Sequence, residues 1–168
     1  MPSRSELGNA LLECLKEVSS LLECAHSVAM KQQNALVENN AENITLTCAA
    51  QEEVLRRISE ADQRAAAIAT QLAEMDGLDS ETADTEAIAQ TTGFPYSNMI
   101  RQEMSRIPHL SKKVQDANEI NRMLLDNGLD IIACCLRTVA NDPGPSAYSK
   151  DANFIESQVS TLSLDSRA

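Results

Sequence analysis

Aromatic side chains are almost missing from this sequence: tryptophan is absent, and tyrosine and phenylalanine occur twice each in 168 residues. Rings supply much of the buried area around ligand pockets, so their scarcity argues against a globular enzyme. Glycine is sparse too. The five glycines stand one to a segment, and none belongs to a loop that could cradle a phosphate. Only two histidines are present, His26 and His109, on unrelated segments, so no Ser/His/Asp set can be assembled. Positive charge is short: 14 Lys and Arg face 25 Asp and Glu, for a net charge of −11 and a pI near 4.6. Such a chain repels phosphate backbones, which disfavours nucleic acid and anionic membranes as partners. No apolar run approaches the length of a membrane span. The leucine-rich start is broken by Glu13, Lys16, Glu17 and Glu23, unlike a signal-peptide core. The chain therefore reads as cytoplasmic, without membrane insertion.

What remains is 43% apolar, mostly alanine and leucine, among glutamate and glutamine. That composition builds long helices packed side by side. Leu7, Leu11, Leu15, Val18, Leu22, Ala25 and Ala29 recur at three- and four-residue steps, and Leu36 returns to the phase after an interruption at Gln32. They predict a helix over about 4–37, capped by Ser3 or Ser5. The asparagines at 39, 40 and 43 mark a bend. A second helix over about 43–76, with Asn43 as its cap, carries a seam of Ile44, Cys48, Leu55, Ile58, Ala61, Ala65, Ile68, Leu72 and Met75. Asp76-Gly77 is its stop. The short connection makes the pair an antiparallel hairpin. Residues 78–96 lose the pattern, with at most a short helix at 82–90. A third helix is predicted over about 98–140, with a kink or a new start at Pro108. Gly128 in its interior costs about 1 kcal/mol against alanine; a close helix crossing is the expected compensation, and a flexible point that lets the last turns move is the alternative. The five cysteines show no zinc or CxxC spacing and read as reduced thiols serving as small core residues. The fold class is all-α: a helical hairpin plus a third long helix in a bundle at 1–140, then a flexible tail at 141–168.

Function is most legible in the third helix. Asn118 and Asn121 lie three residues apart on the face of the apolar stripe, where asparagine brings nothing to an isolated helix and something to one packed in a set register. Leu124, Leu125, Leu129, Ile132, Leu136 and Val139 span more than one face, so part of the set is free for a partner. From 108 to 140 four basic residues balance four acidic ones, which makes this the helix most easily buried against another chain. Asn141-Asp142-Pro143-Gly144-Pro145 stops it. The polar tail beyond carries Tyr148, Phe154, Ile155, Val159, Leu162 and Leu164, and is expected to fold on a partner. The alternative for Phe154 and Ile155 is to dock back on the bundle as a cap.

Glu23-Cys24-Ala25-His26 has the ExxH spacing of di-iron bundles. The second ExxH is missing, because Arg106 stands where it would need an acid before His109. No metal and no cofactor is expected. His26 as a phosphoacceptor of a helical signalling domain, and the whole chain as a coiled-coil adaptor with homodimerisation through its seams, are the alternatives.

The Ala35-Leu36-Val37-Glu38-Asn39 bend between two long helices, the Asn-x-x-Asn-x-x-Leu core at Asn118, Asn121 and Leu124, the tyrosine a few residues past that helix, and the small polar end Ser163-Leu164-Asp165-Ser166-Arg167-Ala168 together resemble the FlgN family of flagellar type III export chaperones. The resemblance implies a non-enzymatic helical protein that binds the hook–filament junction proteins FlgK and FlgL before secretion. It implies that the third helix and tail hold the client's C-terminal region. It also implies docking on the cytosolic domain of the export gate, FlhA, with Tyr148 as the contact.

Overall fold

The computed structural model describes residues 2–77 and 96–140. Among them the chain forms three helices and no strand: α1 (Arg4–Val37), α2 (Ala41–Met75) and α3 (Ser97–Val139). The expected short helix at 82–90 lies outside the described residues.

Helix α1 begins with a capping box. Ser3 Oγ accepts from the Glu6 amide at 3.2 Å, and the Ser3 amide donates to Glu6 Oε2 at 2.7 Å. It ends in a left-handed residue, Asn39, at φ 50. The Asn40 amide reaches back to the Ala35 carbonyl at 2.9 Å and the Asn39 amide to that of Leu36 at 3.1 Å, the Schellman pattern. Asn40 then caps α2, its side chain accepting from the Asn43 amide at 3.0 Å. The cap is therefore Asn40 rather than Asn43. One asparagine closes the first helix with its amide and opens the second with its side chain, which shortens the bend. Gly77 at φ 67 stops α2 as expected.

The chain divides into two compact units, Met1–Asp126 and Asn127–Ala168, and the division falls within α3. In the first unit α1 is the central element, with 15 buried residues. Its face is wider than one seam because it packs on two helices. Near its start Leu7, Leu11, Leu12 and Leu15 meet Ala65, Ala69, Leu72 and Ala73 of α2 and Ile100 of α3. Further along, Val18, Leu21, Leu22 and Ala25 meet Val54 and Ala61 of α2 and Leu110 and Val114 of α3. Salt bridges pin both pairings at their rims: Arg4–Asp76 and Arg64–Glu17 (both 2.8 Å) join α1 to α2, and Arg106–Glu23 (2.6 Å) joins α3 to α1. Buried Ser19 donates to Glu103 Oε2 at 2.7 Å.

Three expectations need correction. On α2 the buried residue is Val54, and Leu55, one position round the helix, is 51% exposed; Met75, three residues after buried Leu72, is in phase but 52% exposed at the end of the helix. Pro108 neither breaks α3 nor starts a new helix. It sits on the exposed side while Met104, Ile107 and Leu110 on either side pack into the core and carry the helix through it. Of the cysteines only Cys14 is buried, and desolvation pushes its thiol pKa up; Cys24, Cys48, Cys134 and Cys135 are exposed free thiols, so they are not core residues.

Candidate partner-binding site

The last buried side chain of α3 is Asn121, 3% exposed. Its Nδ2 donates to the Ala29 carbonyl at 2.9 Å and to Gln32 Oε1 at 3.0 Å, both on α1. Gln32, which interrupts the apolar phase of α1, is itself buried and donates from Nε2 to Cys48 Sγ on α2 at 3.2 Å. One turn before, Asn118 Oδ1 accepts from Gln51 Nε2 of α2 at 2.9 Å. These side chains form a polar layer that joins all three helices in the first unit. The layer is incomplete: Asn121 Oδ1 is buried with no hydrogen-bond partner. An unpaired buried acceptor costs roughly 1–3 kcal/mol. Replacing both partners of such a bond by apolar groups can be neutral or stabilising, and what the polar layer offers is a single register of α3 on the hairpin. The partners on α1 and α2 were not singled out from the sequence, although Gln32 standing in a leucine phase was the available signal.

Beyond Asn121 no residue of α3 is buried. Within the first unit Leu124 is half-buried and Leu125 is 44% exposed. In the second unit Leu129, Ile132, Leu136 and Val139 are 63%, 55%, 64% and 85% exposed. At 100° per residue these last four fall within an arc of about 80°. Single exposed leucines are common on proteins, but four in one phase make a surface suited to being covered. No charged residue stands among them. Gly128 lies at the edge of this phase, and a Cβ built there would meet nothing within 4 Å. Among the described residues no helix crosses close to Gly128, so the expected packing compensation is not found there.

Tyr148, Phe154 and Ile155 lie outside the described residues. His26 is half-buried and His109 exposed, and Glu23, the acid of the ExxH spacing, is engaged by Arg106. Among the described residues no group of three or more His, Cys, Asp or Glu could hold a metal ion, and no helix is long and apolar enough to cross a membrane.

Comparison with known proteins gives one match. The family model described as FlgN protein matches residues 1–154 of the chain. No curated protein and no solved structure matches it.

Proposed function

Since this chain belongs to the FlgN family of flagellar export chaperones, we propose that its clients are FlgK-like and FlgL-like hook–filament junction proteins, held in the cytoplasm by their C-terminal helical segments. The observation that carries this reading is the uncovered apolar phase Leu129, Ile132, Leu136 and Val139 at the end of α3. A client segment built to pair as a coiled coil has an apolar stripe of its own. Laid along α3 by helix-in-groove packing, that stripe is covered and cannot assemble early.

Leu124 and Leu125, in the first unit, belong to the client-binding set as well, and Asn118 and Asn121 fix the register of α3 on the hairpin there. Phe154 and Ile155, in the tail at 141–168, close over the client. Ordering such a segment costs about 2–5 kcal/mol. That cost keeps the complex releasable, which delivery to an export gate requires. Tyr148 is the contact for the FlhA-like gate. Tyr148→Ala is expected to leave client affinity unchanged and weaken gate docking, read by pull-down with the gate's cytosolic domain; undiminished docking removes Tyr148 from the site. The client reading is tested by titration calorimetry of the full chain against the C-terminal peptides of its own organism's junction proteins. One-to-one binding at micromolar Kd or tighter supports it. No heat with either peptide, together with concentration-dependent self-association, overturns it in favour of a coiled-coil adaptor.

A further inference from the structure

We infer that in the client-free protein the exposed phase of α3 is the docking site for the chain's own residues 154–162, so that a client must displace an internal competitor. The surface comes from the structure: Leu129, Ile132, Leu136 and Val139 are more than half exposed and share one side of α3. The occupant comes from the sequence. Ile155, Val159 and Leu162 stand at i, i+4 and i+7, with Phe154 beside them, the spacing of a helical face that needs an apolar partner. Ile155, Val159 and Leu162 all lie beyond the residues that match the family model, so that match does not account for this pattern.

The connection suits a return. Asn141-Asp142-Pro143-Gly144-Pro145 ends α3 and allows the chain to reverse. The roughly fifteen residues between Val139 and Ile155 reach up to about 50 Å when extended. The surface from Leu129 to Val139 is about 15 Å long, so every part of it is within reach.

A tethered occupant has the advantage over a second copy of the chain. A short flexible connection sets an effective concentration in the millimolar range. Two copies, by contrast, each bring a net charge of −11 to the contact. The face on α3 is uncharged, and so are Phe154, Ile155, Val159 and Leu162, so the internal contact carries no such repulsion. The contact itself does not depend on the chaperone reading; its role as a competitor does.

Two native thiols report on it. Cys134 and Cys135 are both exposed on α3. Cys135 is three residues after Ile132 and four before Val139, and so borders the apolar phase. Cys134 points about 180° from its middle and serves as the control. The experiment is maleimide labelling of the full chain without client, the two sites separated by peptide fragmentation in mass spectrometry. It is repeated on a chain ending at Ala140 and on the full-length variant Ile155→Asp/Val159→Asp. The expected result is that both changes speed labelling of Cys135 about threefold or more, the protection a millimolar effective concentration gives a contact of submillimolar Kd. Cys134 and Cys24 should be unchanged, and the thermal midpoint of the helical bundle preserved. The protection should persist on dilution. Equal Cys135 rates in all three proteins overturn the inference, and protection that fades on dilution overturns it in favour of a second copy. Neither outcome bears on whether a client binds, which the calorimetric titration reads separately.

Discussion

At the scale of single residues, the positions that look worst for stability cluster in the back half of α3. Asn121 buries an amide oxygen with no partner, and Gly128 occupies a helix interior with open space where its side chain would be. Gly128→Ala should therefore stabilise the free protein by about 1 kcal/mol, the intrinsic difference in helix propensity, read as a raised urea midpoint. A loss of stability would mean that something packs against the glycine after all. Replacing the layer's interior, Gln32→Leu with Asn121→Leu, should leave the bundle as stable or raise it by up to about 1–3 kcal/mol, because the unpaired Asn121 acceptor is removed together with its partner. The same exchange should loosen the register of α3. The readout is denaturation beside amide exchange across 110–125, and destabilisation by more than about 1 kcal/mol would show that the hydrogen bonds outweigh their desolvation. Asn118 and Asn121 were recognisable in the sequence because asparagine on an apolar face needs a reason. Gln51 and Cys48 were not, because a glutamine or cysteine on a half-exposed helix has too many ordinary roles.

At the scale of elements, helix periods were readable and helix ends were less so. The span Arg4–Val37 follows directly from its leucine spacing and the Ser3 cap. The start of α2 depends on which of three nearby asparagines takes the left-handed position and which accepts the amide, and backbone geometry decides that. Pro108 shows tertiary packing overriding a local rule: the proline removes a donor, yet Met104, Ile107 and Leu110 are held in the core and α3 runs on. Pro108→Ala restores a backbone hydrogen bond to the Met104 carbonyl and should stabilise the protein, by up to about 3 kcal/mol. An unchanged denaturation midpoint would mean that α3 already accommodates the ring without cost. The slip from Val54 to Leu55 has a related origin. A seam counted in heptads drifts from a straight 3.6-residue helix by about 20° per heptad, and between two adjacent apolar residues that drift decides which faces in.

At the scale of the whole molecule, the two units differ in what they do with their apolar side chains. The first is a hairpin with α3 laid against it, closed by a polar layer. The second carries apolar residues that nothing described covers. Composition announced the first unit, since a chain with hardly any aromatics and so much alanine and leucine has few folds open to it. The second was legible only as an excess of apolar surface on one helix, and a sequence cannot show which members of an excess remain exposed. Cys134 and Cys135 illustrate this: in a helical pattern they pass for small core residues, and the structure leaves both exposed. The central claim is that the exposed end of α3 receives the client. Leu129→Asp with Leu136→Asp tests it most directly, since both side chains are more than 60% exposed and their replacement should leave the bundle folded. Calorimetric titration with the junction-protein C-terminal peptides should show affinity reduced by a hundredfold or more, about 2.7 kcal/mol, with circular dichroism and thermal midpoint unchanged. Affinity equal to that of the unaltered chain would contradict the claim and move the client site off α3.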